Sequence, residues 1–364
     1  MIQILKNIVR RIPGAEELHY LATNFGDRVD YRQVPSIPAS VMIELNNTCN
    51  LHCKMCGTKS ARRKKGNMDI SDYRRVIEEV SQLGIRNVTL YTHGEPLLYP
   101  NLPDVVRIAK EKNLTVSIST NGNLLSEELG RELLSAGLDV LRYSVEGASK
   151  LSYEKIRIGG NFNRLFSNMQ QFKKLRDRHR SRTAIHLNTV VMAETEHELE
   201  SFIRLYSPIV DSMHFGLLSN QAGSYRKFDF SSIKSVSNNK KSPCSLLWKT
   251  FIVNWDLTAS ACCIDFHGEL QVGNLREESL QEVWLGERYQ HFRDLHQRGL
   301  YGEMPLCGKC NKNLISKFER FSFDRSIHRK YRKSFQFSRP FQKSLESIDF
   351  EQNIDGDSCL RKDS

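Results

Sequence analysis

The sequence has no run of about 18 apolar residues, so no segment is suited to cross a membrane as a helix. Its N-terminus, MIQILKNIVRRIPG, is interrupted by charged residues and does not contain the apolar centre of a secretory signal peptide. We therefore expect a cytoplasmic location. In that reducing compartment, clustered cysteines bind metals or act in catalysis more often than they form disulfides. The odd count of nine cysteines also argues against a complete disulfide framework.

Acidic residues are too few to balance the basic ones. The 364 residues include 53 Lys and Arg against 42 Asp and Glu, which gives a net charge of +11 at pH 7. Such a charge permits an acidic partner, such as nucleic acid, an anionic membrane surface or a phosphorylated substrate. Basic residues concentrate at 62–65, 173–182 and 325–343. We interpret these runs as solvated surfaces and do not expect a nucleic acid partner.

The two ends of the chain differ in composition from its centre. Residues 1–38 include an apolar and basic stretch at 4–11, which favours a helical extension packed on the core over a helix lying on a membrane. Residues 313–364 include the run at 325–343, with seven Lys or Arg and no acid. We expect a basic, weakly ordered tail there. Cys359, within that tail, has no partner in sequence and no assigned role.

Short runs rich in β-branched and aromatic residues alternate with helical patterns from residue 39 to residue 220. Ser71 is the predicted N-cap of the first helix, whereas Ser126 and Gly137 are predicted to begin and end the third. The predicted strands are 40–45, 86–92, 114–120, 138–145, 184–192 and 212–218. The predicted helices are 70–84, 101–113, 126–137, 162–176 and 196–207.

Six strands separated by helices predict an α/β fold with a parallel sheet and right-handed crossovers. Because six units fall short of the eight that close a TIM barrel, we predict a partial (β/α)6 TIM-like barrel over residues 39–220. In such architectures the site lies at the carboxyl ends of the strands. Residues 240–312, with short strand-like runs and five cysteines, predict a second, small α+β domain.

Three cysteines follow the first predicted strand: Cys49, Cys53 and Cys56, in the spacing CxxxCxxC. A zinc site would need a fourth ligand, and closed zinc sites usually pair two short ligand segments. The nearby His52 is poorly placed to ligate together with both of its neighbours. A [4Fe–4S] cluster that only carries electrons takes four thiolates. With three thiolates, one iron keeps an open position for a substrate or cofactor.

This spacing, just after the first strand of a six-unit chain, closely resembles the radical S-adenosylmethionine (SAM) superfamily. The resemblance implies that the open iron of a [4Fe–4S] cluster is bound by the amino and carboxylate groups of SAM. An electron from the cluster would then cleave SAM into methionine and a 5′-deoxyadenosyl radical, which abstracts a hydrogen atom from the substrate. It also implies an external reductant such as flavodoxin or ferredoxin. The protein's part would be to bind, orient and exclude water.

Other motifs of the superfamily occur in the expected order. HGEP (93–96) follows the second strand, at the position where the family has GGEP. STNG (119–122) includes the end of the third strand, and YSVEG (143–147) includes the end of the fourth. The resemblance implies that Glu95 receives the amino group of SAM and that Arg157 pairs with its carboxylate. Ser144 would contact the ribose. The implied SAM-binding residues are Gly94, Glu95, Thr120, Asn121, Ser144, Arg157 and Asn188.

Two residues depart from the family pattern, and one of them is a candidate for catalysis. Met55 stands where an aromatic residue often packs on the adenine, and His93 replaces the first glycine of GGEP. A dehydrogenation would require a base for the substrate's proton. His93 and Asp265 are the candidate catalytic bases, although Asp265 also fits a turn.

The second cysteine group resembles the auxiliary-cluster extension called SPASM when it holds two clusters and twitch when it holds one. Adjacent strand residues point to opposite faces, so we expect one of Cys262 and Cys263 to be a ligand. A zinc ribbon is the alternative. The candidate ligands of one saturated auxiliary [4Fe–4S] cluster, suited to electron transfer, are Cys244, Cys262, Cys307 and Cys310.

Three functions are open on these grounds. The ligand spacing most resembles twitch-type enzymes that oxidise an alcohol on an aminocyclitol, which predicts a net two-electron oxidation of a small polar metabolite. A maturase that modifies a peptide or protein is the alternative, as in the sulfatase-maturating enzymes that the chain resembles more loosely. A zinc-bearing nucleic-acid-binding protein is the third, and the run at 62–65 is its only local support.

Overall fold

The computed structural model describes residues 29–192, 194–217 and 243–310, together with the backbone of residues 321–324. Most of the predicted N-terminal extension and most of the predicted tail lie outside the described residues. In the described part, no helix is long and apolar enough to cross a membrane.

Ten strands of the described residues belong to one sheet, and helices connect most of them. The strands are β1 (Ser40–Ile43), β2 (Asn87–Leu90), β3 (Thr115–Thr120), β4 (Val140–Ser144), β5 (Ala184–Val191), β6 (Ser212–Leu217), β7 (Thr250–Val253), β8 (Thr258–Ser260), β9 (Gln271–Asn274) and β10 (Phe321–Asp324). The helices are α1 (Ile70–Gln82), α2 (Leu102–Glu111), α3 (Glu127–Ser135), α4 (Lys150–Ile156), α5 (Phe162–Arg178), α6 (Leu199–Tyr206), α7 (Leu246–Lys249), α8 (Leu280–Leu285) and α9 (Glu287–Gln297).

The predicted parallel α/β core is confirmed. Strands β1 to β6 are consecutive neighbours, and each pair is parallel. Buried positions alternate with half-buried ones along β1, β4 and β5, and most of the buried residues are apolar, so one face of these strands packs on the core. The far side of β1 pairs with β7 rather than with β6, so the six strands form an open arrangement and not a closed barrel.

Helix boundaries follow local capping chemistry, with one correction to the sequence analysis. The N-cap of α1 is Asp69 and not Ser71, because the Asp69 carboxylate accepts hydrogen bonds from the backbone N–H and the hydroxyl of Ser71. Ser126 caps α3 as predicted, and Gly137 follows that helix with φ +86°. Helix α4 was not predicted, and Ser149 opens it with a capping box.

The region that carries the second cysteine group, here called the auxiliary region, adds strands to the same sheet as the core. The sequence analysis did not predict this. Strand β7 is parallel to β1, with Val41 opposite Phe251, and β8 and β9 follow as an antiparallel ribbon. Beneath it, the guanidinium of Arg293 stacks on Trp284 and donates hydrogen bonds to the carbonyls of Leu247 and Trp284. The auxiliary region is therefore joined to the core through the pairing of β7 with β1.

Strand β10 gives the other edge of the sheet, antiparallel to β6, with Phe321 opposite Phe215. These four residues fall within the segment 313–364 that the sequence analysis assigned to a weakly ordered tail. The prediction therefore does not hold for residues 321–324, which add to the sheet.

Candidate active site

The loop that carries the first three cysteines lies at the carboxyl end of β1, where a parallel sheet places its site. Two backbone hydrogen bonds attach it to the end of α4. The N–H of His52 donates to the carbonyl of Ile158 at 2.8 Å, and that of Lys54 donates to Ile156 at 2.9 Å. Cys53 lies between these two attachment points, so its position depends on the chain beyond β4 as well as on β1.

The three thiols of this loop interact with one another, as ligands of one cluster should. Burial raises the pKa of Cys49 to about 11, and the neighbouring Cys53 and Cys56 add to the shift. Among the described residues, no three His, Cys, Asp or Glu side chains converge closely enough to chelate a single metal ion. A cubane needs no such convergence, because each thiolate binds a different iron. The donor set therefore fits a [4Fe–4S] cluster.

A buried ion pair stands beside Cys53. The guanidinium of Arg157 donates to both carboxylate oxygens of Glu146, with Nη2 at 3.0 Å from Oε1. Its remaining terminal nitrogen, Nη1, lies 3.6 Å from Cys53 Sγ. Although burial opposes the charged form, Glu146 and Cys53 raise the pKa of Arg157. Arg157 is thus a fixed cation at the cluster loop, and the sequence analysis did not identify Glu146 as its anchor.

Glu95 connects the HGEP and STNG motifs. Its Oε1 accepts from Thr120 Oγ1 at 2.6 Å and from Leu97 N at 3.1 Å, while Oε2 accepts from the backbone N–H of Asn121 at 2.8 Å. Burial raises the pKa of Glu95, and these hydrogen bonds oppose that shift. Asn121 in turn donates to Asn50 Oδ1 at 2.9 Å, within the cysteine loop. Three of the predicted motifs therefore meet in one hydrogen-bonded group.

Gly94 is required by a close approach of two loops. A Cβ atom at this position would collide with the side chain and the backbone carbonyl of Asn46. Asn46 also donates from Nδ2 to the Glu95 carbonyl at 3.0 Å. Any larger residue would therefore push the segment that carries Glu95 away from the cysteine loop.

Ser144, the last residue of β4, lies in register with Asn188 in the second half of β5. Glu146 follows β4 at this end of the sheet. Ser144 and Asn188 therefore lie on the side of the sheet where the cysteine loop is attached. Met55 is buried in a small apolar group with Ile156 and Met192. The structure therefore places these predicted residues around one end of the sheet.

His93 belongs to a buried network that the sequence analysis did not predict. Its Nδ1 lies 2.9 Å from Glu44 Oε1, and its side chain is 3% exposed. Arg63 donates to both oxygens of Glu44, at 3.0 and 2.8 Å. Burial alone would raise the pKa of Glu44, but the hydrogen bonds and charges of His93 and Arg63 hold it at about 2.

The network fixes the tautomer of His93. Glu44 is a carboxylate that only accepts, so the Nδ1 atom that faces it carries a hydrogen, and in the neutral ring Nε2 would then be the acceptor. The 3.3 Å approach of Arg63 to Nδ1 is longer than its bonds to Glu44. His93 Nε2 is buried and has no hydrogen-bond partner among the described residues, and the ring packs against Phe266 at 4.8 Å.

The basic run at 62–65 is largely exposed, and it also connects two parts of the protein. The side chain of Arg63 is 9% exposed, and Arg62 pairs with Glu269 of the auxiliary region. Trp255 Nε1 donates to the carbonyl of Lys64 at 3.2 Å, and Lys65 donates to the carbonyl of Asn47 at 2.8 Å. Arg63 is therefore the one largely buried member of this run, whereas Arg62, Lys64 and Lys65 are exposed, as expected for a solvated surface.

Asp265, the other candidate base, is surrounded by local donors. Its Oδ1 accepts from Glu269 N at 2.8 Å, and Oδ2 accepts from Leu270 N at 2.8 Å and Ser260 Oγ at 3.2 Å. These contacts hold the turn that follows Cys262 and Cys263. The carboxylate therefore organises the auxiliary loop.

The auxiliary cysteines come from three separate segments. Cys244 precedes α7, Cys262 and Cys263 follow β8, and Cys307 and Cys310 follow α9. Burial raises the pKa of Cys262, and the neighbouring Cys263, Cys244 and Cys307 add to the shift. Cys262, Cys307 and Cys310 all pack against the main hydrophobic core. Thiols from these three segments fit a saturated cluster.

Tyr91, which the sequence analysis missed, lies between the two cysteine groups. It follows β2 and is 38% exposed. Enclosure of its phenol raises the pKa of Tyr91, and the thiols of Cys56 and Cys263 contribute in the same direction. Tyr91 therefore lies near a thiol of each cysteine group.

Comparisons with known proteins agree with this site. Residues 43–206 match the radical SAM superfamily model, and residues 244–311 match SPASM, an iron–sulfur cluster-binding domain. The protein is a radical SAM enzyme. More particularly, it is one that carries a SPASM domain after its radical SAM domain. Its cofactors are SAM, the [4Fe–4S] cluster that binds SAM, and an auxiliary [4Fe–4S] cluster.

Two known relatives align with this chain over most of their own length. The tungsten-containing aldehyde ferredoxin oxidoreductase cofactor-modifying protein of Pyrococcus furiosus is 24% identical over 322 residues, covering 74% of this chain and 86% of the relative. The S-adenosyl-L-methionine-dependent 2-deoxy-scyllo-inosamine dehydrogenase of Niallia circulans is 23% identical over 290 residues, covering 78% and 96%.

Solved structures support the fold. BtrN in complex with AdoMet and 2-DOIA matches with a TM-score of 0.55 at 20% identity, over 76% of this chain and 94% of that one. Streptococcus suis SuiB bound to the precursor peptide SuiA matches with a TM-score of 0.60 at 14% identity, over 78% and 72%. The fold is therefore shared by proteins whose structures hold ligands of different kinds.

Proposed function

We propose that this radical SAM enzyme dehydrogenates a small polar metabolite, such as a sugar or an aminocyclitol, at a carbinol carbon. The observation that carries the proposal is the buried His93–Glu44 pair, whose free Nε2 atom lies at the strand edge that also carries the SAM motifs. The dehydrogenase from Niallia circulans, matched over 96% of its length, supports the same reaction class. The enzyme would use an external reductant, such as flavodoxin or ferredoxin.

The proposed ligands divide the cysteines into an open and a closed set. Cys49, Cys53 and Cys56 would hold the cluster that binds SAM, and Cys244, Cys262, Cys307 and Cys310 would hold the auxiliary cluster. When bound, SAM and the two clusters supply a hydrogen-abstracting radical and an acceptor for one electron.

The SAM-binding residues are assigned by their charge and their position. Arg157, held as a cation by Glu146, would pair with the carboxylate of SAM. Glu95 would receive its amino group, and Thr120 and Asn121 orient the Glu95 carboxylate for that contact. Three more residues, proposed to shape the rest of the SAM site, are Gly94, Ser144 and Asn188.

His93 would take the proton of the substrate hydroxyl. Removal of the carbinol hydrogen atom leaves a carbon radical, and loss of the O–H proton and one electron then gives the carbonyl. The proton would go to His93 Nε2, and the auxiliary cluster, when bound, would supply the acceptor for the electron. Glu44, held ionised by Arg63, stabilises the imidazolium that forms. Asp265 has local donors at both oxygens, so His93 is the base we propose.

A second candidate function is the modification of a peptide. The fold shared with SuiB, whose solved structure holds a precursor peptide, favours it. The two readings differ in the product, because a dehydrogenase must yield a carbonyl.

Isotope transfer tests the proposal. Polyols, aminocyclitols and peptides deuterated at candidate carbons are incubated anaerobically with the reconstituted enzyme, SAM and a reductant. We expect one deuterium to appear in 5′-deoxyadenosine together with an equivalent of a ketone, for a polyol or aminocyclitol only. Deuterium transfer from a peptide, or transfer without carbonyl formation, would overturn the proposal.

A further inference from the structure

His296 contacts two of the four candidate ligands of the auxiliary cluster. It lies near the end of α9 and is 1% exposed. Its Nδ1 lies 3.1 Å from the backbone N–H nitrogen of Cys244, and its Nε2 lies 3.4 Å from Cys307 Sγ. One buried imidazole therefore bridges the first and the third cysteine of the set.

The contacts determine which nitrogen carries the hydrogen. A backbone N–H can only donate, so Nδ1 must be the acceptor and the hydrogen of a neutral ring resides on Nε2. That hydrogen is directed at Cys307 Sγ. When Cys307 is an iron ligand it is a thiolate, which accepts a hydrogen bond. The ring is held by Tyr301, whose aromatic plane meets it edge-on at 4.9 Å and 77°.

We propose that His296 is a positioning residue of the auxiliary site that donates an N–H···S hydrogen bond to Cys307 and thereby raises the reduction potential of the auxiliary cluster. A donor to a ligating sulfur withdraws negative charge from the cluster and favours its reduced form. The inference rests on the auxiliary cluster and deepens the proposed function, because an electron acceptor for a substrate radical needs a sufficiently high potential.

Two substitutions separate the contacts of His296. In His296→Asn, the amide oxygen can replace Nδ1 as the acceptor for Cys244, but nothing reaches Cys307. In His296→Gln, the longer amide can place an N–H near the former Nε2 position and so retain the donor to Cys307. Tyr301→Phe keeps the aromatic packing and serves as the matched control for a change near the same ring.

The readout is the midpoint potential of the auxiliary cluster, followed by electron paramagnetic resonance in the full-length chain. A background with Cys49, Cys53 and Cys56 replaced by alanine removes the first cluster and leaves one signal. We expect His296→Asn to lower the one-electron equilibrium constant for reduction about tenfold, a shift of about 59 mV to more negative potential. His296→Gln and Tyr301→Phe should stay near the parent value.

An unchanged potential in His296→Asn, or equal shifts in the Asn and Gln variants, would overturn the proposal. If His296→Asn does not retain its cluster, the parent chain labelled with ¹⁵N-histidine gives a second test. The reduced auxiliary cluster should show a weak ¹⁵N coupling that is absent from His296→Gln, and a parent spectrum without that coupling would equally overturn the proposal. Neither readout involves turnover. If the proposed dehydrogenation were wrong, the potential and the ¹⁵N coupling would therefore still test this inference.

Discussion

The carboxylate of Glu44, just after β1, lies 2.9 Å from the Nδ1 atom of His93, just after β2. Two neighbouring parallel strands thus bring an acid and an imidazole together from residues 49 positions apart. Arg63 keeps the acid ionised, and Nε2 on the other edge of the imidazole is buried without a hydrogen-bond partner among the described residues. The predictions below follow from this pair and from the two cysteine groups on either side of it.

Replacement of His93 by Gln should uncouple SAM cleavage from substrate oxidation. The variant keeps the cluster ligands and the SAM-binding residues, but it has no group to accept the hydroxyl proton. We expect kcat for carbonyl formation to fall by about 10²- to 10⁴-fold, while 5′-deoxyadenosine still forms. Liquid chromatography of both products measures the ratio. His179→Gln, an exposed histidine at the end of α5, is the control and should behave like the parent.

Arg63 and Arg62 are adjacent but should differ in their effect on stability. Arg63→Met leaves the buried carboxylate of Glu44 without its cation, which should lower the free energy of unfolding by about 3–5 kcal/mol. The side chain of Arg62 is 69% exposed in its pair with Glu269. Arg62→Met should therefore cost about 0–1 kcal/mol. Denaturant titration of the two variants compares them, and equal losses would refute the role given to Arg63.

Acidification should reveal the ionised state of Glu44. Its pKa is about 2 in the folded chain against the ordinary 4.5, so its stabilisation is complete above pH 4.5 and is lost as the pH falls towards 2. The difference corresponds to about 3 kcal/mol. In the metal-free full-length chain, Glu44→Gln should therefore lose less stability than the parent as the pH falls below 4.5. Asp104→Asn, an exposed carboxylate, is the control, and identical pH slopes for parent and Glu44→Gln would contradict the assignment.

Cys262 and Cys263 should be distinguished by iron content. Cys262 packs against the hydrophobic core with Cys307 and Cys310, whereas Cys263 lies near Tyr91. After anaerobic reconstitution, the parent and Cys263→Ala should each hold about eight irons, and Cys262→Ala should hold about four. Iron assay with visible absorbance measures this. Loss of iron in Cys263→Ala alone would reverse the assignment.

Features that depend on local order were predictable from the sequence. The six parallel strands follow from alternating strand and helix patterns, and the open cluster loop follows from the spacing of Cys49, Cys53 and Cys56. The motif around Glu95 was found because its residues are consecutive. In each case the relevant information lies in the order and spacing of residues along the chain.

Contacts between distant segments were not predictable. Glu44 reads as the end of a strand and Arg63 as part of a charged run, and only the fold shows that they pair. His296 lies in an ordinary helical pattern 52 residues from Cys244, so no local signal marks its contact with the cluster site. Similarly, β7 reads as part of a separate domain until its pairing with β1 is seen. Such pairings depend on tertiary geometry.

A single-turnover experiment tests the central claim most directly. The enzyme, with its first cluster reduced, is mixed with SAM and the substrate found by isotope transfer, frozen after one turnover and divided for product analysis and electron paramagnetic resonance. The account predicts one 5′-deoxyadenosine, one carbonyl product and one reduced auxiliary cluster for each turnover. A product at the oxidation level of the substrate, with the auxiliary cluster still oxidised, would contradict it.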